Sequence, residues 1–506
     1  MTKSAIRTTL LIILVTASAA IHAQNRPNLS SLDQQIQAVM KDWNIPGAAI
    51  SVVDGNSVIY LKGFGVRNVD TKQPVTTDSL FDIGSCTKAF TTAVIASLVD
   101  EGKIEWDGRV DNYLAAFHLS DPEADEHVTI RDLLTHRTGL PGADMVWYGS
   151  SLSREELIRR TAYIAPTYGF RARFQYQNLM FLAAGQAAAD AAGSTWEDLV
   201  HRRIFVPLGM TRSATTVAEA QKSADVATPH RQSSDGSVKT ISWYNLDNIA
   251  PAGAISSSAN DMSKWIEFQL GDGTYQGKRL ISEKNMREMH QPQMVVPRTG
   301  EIGTVFFPES VQLSYGLGWF VQDYRGHQLV LHPGDIDGFA AETVLIPELH
   351  EGYFVAINTS SGGRQVIVYD IADKLLNLPD GNWSAHFHKL EADLKAREKS
   401  GQAWESQRVP NTHPSHELDA YAGQFENPAY GRAEITLEDG KLVLHFHSRA
   451  SGLEHFQYDT FVTNRSPEAK TRLTFVVNGS GEVEKFVMDG VTFARGATAK
   501  VTAGPE

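Results

Sequence analysis

Two alternating apolar runs, Ala48 to Val53 and Val58 to Leu61, are separated by Asp54-Gly55, a spacing that predicts a β-hairpin. The period then lengthens. Between Ser85 and about Leu270 it predicts helices over Ala89 to Val99, Arg154 to Tyr163, Leu179 to Ala192 and Ser258 to Leu270. Ser258 reads as an N-cap there and Asp261 as an acidic first turn. Strand-like runs return at Gly316 to Gln322, Gln328 to Leu331, Phe339 to Ile346 and Tyr353 to Asn358, and a helix over Val366 to Leu376 closes the unit. Strands at both ends with helices between predict one α+β domain. Its sheet would be assembled from the N- and C-terminal segments, with a helical region inserted and the ends of the unit close together.

Beyond residue 381 the character changes. A charged helical stretch, Lys389 to Lys399, leads into Val409-Pro410-Asn411-Thr412-His413-Pro414, so residues 382–416 read as a linker. Alternating segments follow at Ala433 to Leu437, Lys441 to His447, Phe456 to Thr463, Arg472 to Val477 and Val483 to Met488, broken by Asp439-Gly440 and Asn478-Gly479. They predict a small all-β domain over residues 417–506, a sandwich or a barrel.

A chain of 506 residues is too long for one core of usual size, in agreement with this division. The net charge of −13 argues against nucleic acid or an anionic membrane as the main partner and leaves small molecules or short peptides open. Residues 1–23 read as a signal peptide, with Lys3 and Arg7 as the basic start, Leu10 to Val15 as the apolar core and cleavage after Ala23 or Ala19. That run is short for a bilayer span; an uncleaved N-terminal anchor is the alternative, and no other stretch looks transmembrane. A periplasmic or secreted protein is expected, and its oligomeric state is not set by the sequence. Cys86 is the only cysteine, so no internal disulfide can form, and it reads as a small packing residue.

Cys86 stands inside the most informative stretch, Ser85-Cys86-Thr87-Lys88. Positions i and i+3 share a helix face, so Lys88 can reach the Ser85 hydroxyl. A serine needs an adjacent base, and a desolvated lysine of lowered pKa can serve. A helix-capping serine with a solvated lysine would look the same, but partner motifs follow. In Tyr176-Gln177-Asn178 a phenol can relay a proton and an amide can orient the lysine or a substrate carbonyl. In His332-Pro333-Gly334, at the end of a strand-like run, glycine allows close backbone approach, and the N–H of Asp335 can join that of Ser85 in an oxyanion hole.

In that order the three motifs resemble those of class C β-lactamase-like serine hydrolases, a group that also holds D-Ala-D-Ala carboxypeptidases, D-aminopeptidases and β-lactamase-fold esterases. Similarity extends to the segments Leu133 to Pro141, Pro251 to Asp261 and Tyr315 to Trp319, covering roughly residues 30 to 380. The C-terminal part resembles appended lipocalin-like modules. The resemblance implies a β-lactamase/transpeptidase-like antiparallel sheet with flanking and inserted helices over residues 24–381. It also implies Ser85 as the acylated nucleophile, Lys88 as its activating partner, Tyr176 as general base and later proton donor, and Asn178 as a substrate-orienting amide. Whether Lys88 or Tyr176 takes the first proton stays open.

The third motif departs from the family's Lys-Thr-Gly. His332 is largely neutral near pH 7, and Pro333 lacks both an N–H and a hydroxyl, which disfavours β-lactam turnover and terminal-carboxylate recognition. Esters, amides or D-amino-acid peptides are the expected substrates of an exported acyl-enzyme hydrolase. The alternatives are a β-lactamase or D-Ala-D-Ala carboxypeptidase, or a non-catalytic peptide- or peptidoglycan-binding protein on the same fold.

Other candidates carry less. His136 and Arg137, in a Gly/Pro-rich loop, read as loop-ordering residues rather than substrate contacts, and Asp335 and Asp337 need no role beyond their turn. His445 and His447 alternate on a predicted strand but lack a third ligand, so neither a metal nor another cofactor is expected. There is no Gly-x-Ser-x-Gly elbow, which argues against an α/β-hydrolase.

Overall fold

The Asp54-Gly55 turn joins two antiparallel strands, Gly47–Asp54 and Ser57–Gly65, with Gly55 in the left-handed region at φ 57°. The computed structural model describes residues 28–233, 235–298, 303, 306–401, 406, 408–463 and 470–496; the signal-peptide segment lies outside the described residues. Strand Gly47–Asp54 also pairs with Glu351–Ile357, so the first strands and the last share one sheet. The full order is Ser57–Gly65, Gly47–Asp54, Glu351–Ile357, Phe339–Ile346, His327–Ile336, Phe320–Tyr324, Ser310–Tyr315 and Met294–Val295, all antiparallel.

Helices cover both faces. A Cβ at Gly352 would meet Ile266 of helix Ala259–Leu270, while the next residue, Tyr353, donates to the Val368 carbonyl of helix Gly363–Leu375. Successive strand residues point to opposite faces, so the two helices lie on opposite sides. Helix Thr87–Asp100 is buried from Thr87 to Leu98, as expected of a helix apolar all round. It packs against helix Asn178–Ala192.

Two strand expectations in this sheet are corrected. The run Gly316 to Gln322 is not one strand: Ser310–Tyr315 and Phe320–Tyr324 flank a turn in which Gly318 takes φ 80°. A Cβ on Gly318 would lie 3.0 Å from the Lys88 carbonyl, so this turn lies tightly on the Lys88 helix. The run Gln328 to Leu331 does not end before the third motif, because strand His327–Ile336 continues through it. Pairing to Phe320–Tyr324 stops at Leu331, whereas pairing to Phe339–Ile346 goes on to Ile336. From His332 onward one side of the strand is an edge, the setting in which a strand tolerates proline.

Residues 382–416 open with helix Trp383–Gly401, whose buried Trp383 donates to Asp373 Oδ2 at 2.8 Å. The C-terminal part is a closed eight-stranded barrel of consecutive antiparallel strands from Gly423–Asn427 to Val491–Arg495. Its core includes Tyr421, Phe425, Phe475, Phe486 and Phe493. The predicted strand Phe456 to Thr463 is broken into Arg449–Gln457 and Thr460–Thr463 by a turn with Tyr458 at φ 45°. His447 also leaves its predicted strand, which ends at Phe446, and enters the next turn at φ 52°. It therefore does not share a strand face with His445; His445 faces Glu438, and His447 reaches the Met145 carbonyl. Among the described residues no helix is long and apolar enough to cross a membrane.

Candidate active site

Ser85 sits in the short turn Gly84–Cys86 that starts the central helix, and Lys88 follows one turn on. The Lys88 ammonium, 0 % exposed, lies 2.9 Å from Ser85 Oγ, 2.8 Å from Asn178 Oδ1 and 2.8 Å from the Ala252 carbonyl. Desolvation lowers its pKa to about 7, against the opposing pull of Asp144. Of the three oxygens around Nζ, the amide and the carbonyl can only accept. A neutral amine has two N–H groups and one lone pair, so satisfying those two acceptors leaves the lone pair directed at the Ser85 hydroxyl.

Tyr176 lies beside this pair, its ring centroid 4.7 Å from Lys88 Nζ and its hydroxyl interacting with Ser85, and burial drives its pKa well up, so the phenol keeps its proton. Asn178 donates to Asp144 Oδ1 at 3.2 Å, and Asp144 also accepts from Trp147 Nε1 at 2.9 Å. The tripeptide is held from behind by His136. This histidine is fully buried, its Nδ1 accepts from the Gln177 N–H at 3.1 Å, and the rings of Phe174, Tyr176 and Phe181 surround it. Arg137 instead pairs with buried Asp132. Both thus order the loop.

The third motif closes the site. A Cβ on Gly334 would fall 1.9 Å from the Ile83 carbonyl and 3.0 Å from the Cys86 nitrogen, and one on Gly84 would fall 2.9 Å from the Asp335 nitrogen. The open strand edge and the Ser85 turn are therefore in backbone contact. His332, 1 % exposed, donates from Nδ1 to the Pro333 carbonyl at 2.6 Å, which leaves Nε2 to accept from the Tyr315 hydroxyl at 2.9 Å. Burial, with Lys88 nearby, takes its pKa down to about 3, so it is neutral. Cys86 is buried, donates to the His332 carbonyl at 3.1 Å and has its thiol pushed up to about 12 by burial.

The sequence and the fold have counterparts. The model of the family described as Beta-lactamase matches residues 32–376. The chain belongs to the β-lactamase family. A second model, described as a domain of unknown function (DUF3471), matches residues 407–500. Unguisins hydrolase ungD' of Aspergillus campestris is 30 % identical to this family member, with 82 % of this chain and 79 % of the relative covered. Penicillin-binding protein 4 of Amycolatopsis lactamdurans is 28 % identical, covering 68 % and 88 %. The octameric penicillin-binding protein homologue from Pyrococcus abyssi shares the fold, with a TM-score of 0.63, 22 % identity, and 91 % of this chain and 98 % of that one covered. With its family and its hydrolase-named relatives, the protein is a serine hydrolase of β-lactamase/transpeptidase fold carrying a β-barrel domain.

In this β-lactamase-family protein all seven residues singled out by the motifs, Ser85, Lys88, Tyr176, Asn178, His332, Gly334 and Asp335, meet in one cluster. Sequence reasoning missed Asp144 and the Ala252 carbonyl. It also missed Arg364, 1 % exposed, whose Nη1 donates to the Gly334 carbonyl (3.1 Å), Asp335 Oδ2 (3.0 Å) and the Ala341 carbonyl (2.9 Å). Asp337 accepts from the Tyr148 hydroxyl at 2.5 Å, so neither aspartate of that turn lacks a protein partner. Arg364→Met is expected to lower stability by about 3 kcal/mol or more, because it strips partners from buried carbonyls beside buried Glu342. Urea unfolding measures this.

Proposed function

We propose that the protein is an exported hydrolase that cleaves esters or amides, short peptides included, through an acyl-enzyme at Ser85. The reading rests on the three contacts of Lys88 Nζ, which turn a desolvated amine toward a single hydroxyl. The Ser85 oxygen bonds to the substrate carbonyl carbon while its proton passes to Lys88 Nζ. The carbonyl oxygen, now anionic, takes hydrogen bonds from the N–H groups of Ser85 and Asp335. As the scissile bond breaks, the leaving group takes the Tyr176 proton, which the Lys88 ammonium replaces. Water then releases the acyl group by the same transfers in reverse.

Lys88 rather than Tyr176 is the first base here, since burial holds the phenol protonated. Neutral His332 offers no cation for a substrate carboxylate, which supports esters and neutral amides over β-lactams or terminal carboxylates. Export, to the periplasm or beyond, rests on residues 1–23. A fluorophosphonate probe is expected to label the wild type and leave Ser85→Ala unlabelled. Equal labelling of the two would refute Ser85 as nucleophile.

A further inference from the structure

The barrel is seated on the loop that borders the site. His447 Nε2 donates to the Met145 carbonyl at 2.9 Å, the Ser448 N–H donates to the Gly149 carbonyl at 3.0 Å, and the Arg449 guanidinium lies 4.1 Å over the Tyr148 ring. Arg160 adds a contact to the Pro428 carbonyl at 3.1 Å. Between loop and barrel mouth is a cavity of about 280 Å³. Met145, Leu444, Phe446 and Met488 give it apolar walls, and Asp144, Tyr148 and Arg449 give it a polar rim.

Two of those rim residues belong to the site as well. Asp144 accepts from Asn178, the amide that also holds Lys88, and Tyr148 donates to Asp337, two residues beyond Asp335 on the oxyanion side. The volume is that of a large side chain. Among the described residues the Arg449 guanidinium makes no hydrogen bond or ion pair and lies over the Tyr148 ring, so its donors are available to carbonyl oxygens. An apolar side chain flanked by amide carbonyls is the chemistry of a peptide residue.

We infer that this interdomain cavity is a substrate subsite: it takes a large apolar side chain of a peptide-like acyl group whose carbonyl is attacked by Ser85, and Arg449 of the barrel binds the adjoining amide. The inference rests on the acyl-enzyme reading above. It makes the barrel part of the substrate site, which then spans both domains.

The test compares two activated esters on the full-length protein, p-nitrophenyl acetate and the p-nitrophenyl ester of N-acetyl-phenylalanine in both enantiomers. One enantiomer is expected to exceed acetate in kcat/KM by about tenfold or more, the scale at which an apolar pocket discriminates. Ser451→Phe, which fills the cavity, removes that preference and leaves acetate turnover within about twofold. Arg449→Ala, on the half-exposed rim, raises KM for the preferred ester by about fivefold or more with acetate unchanged. A wild type that prefers neither enantiomer, or a preference that survives both substitutions, overturns the subsite. Failure of the wild type to turn over acetate at all would instead count against the acyl-enzyme reading.

Discussion

Lys88→Met is expected to cut acylation by about a thousandfold, the middle of the range for loss of a general base, while the Ser85 turn keeps its place. Lys88→Arg should fare no better, because guanidinium stays charged and has no lone pair to accept the serine proton. The sign of the pH dependence follows from the same group. With a pKa of about 7, Lys88 is an ammonium below that pH and a free amine above it, so kcat/KM for p-nitrophenyl acetate rises with pH, half-maximal near 7. His332, down at about 3, stays neutral throughout and adds no inflection there. Stopped-flow pH profiles of wild type and Lys88→Met measure this directly. A wild-type profile flat between about pH 6 and pH 8, or a profile kept by the methionine variant, would remove Lys88 from the role of base.

Gly334→Ala is the second large effect, and it acts through backbone alone. A methyl group placed 1.9 Å from the Ile83 carbonyl cannot be relieved by a side-chain rotation, since the obstacle is main chain on the turn that carries Ser85. Either the strand or the turn must withdraw, which separates the Asp335 N–H from the Ser85 N–H. Loss of one such donor alignment typically costs a factor of about 100 to 1,000 in kcat. The expected outcome is a fall in kcat of that size with fluorophosphonate labelling slowed, not abolished, because Lys88 and Ser85 still face each other. Unchanged kcat would show that the strand edge takes no part in stabilising the oxyanion.

The cluster was legible because its side chains have chemical character and fixed spacing. Ser85 and Lys88 announce each other at i, i+3, and Tyr176 and Asn178 flank a helix start. What escaped was carried by main chain or by residues with no pattern. The Ala252 carbonyl decides where the Lys88 lone pair points, yet an alanine in Pro-Ala-Gly gives no sign of it. Asp144 and Tyr148 lie in a segment without periodicity. Pro333 and Gly334 look like strand breakers, and only the partner's end at Leu331 explains why the strand runs on past them. The reverse error, a strand drawn across Gly316 and Gly318, came from their apolar neighbours. Of the barrel, five segments were visible as alternation; closure depends on the outer strands Gly423–Asn427 and Val491–Arg495, which were not among them.

Pairing of Gly47–Asp54 with Glu351–Ile357 has a temporal cost for synthesis of the chain. A ribosome adds roughly 5–20 residues per second, so the hairpin waits on the order of 15–60 s for a partner about 300 residues downstream. Throughout that interval its inner edge offers unsatisfied amides to any extended segment nearby. The nascent chain carries that open edge until its partner strand has been made, whatever the stability of the finished sheet.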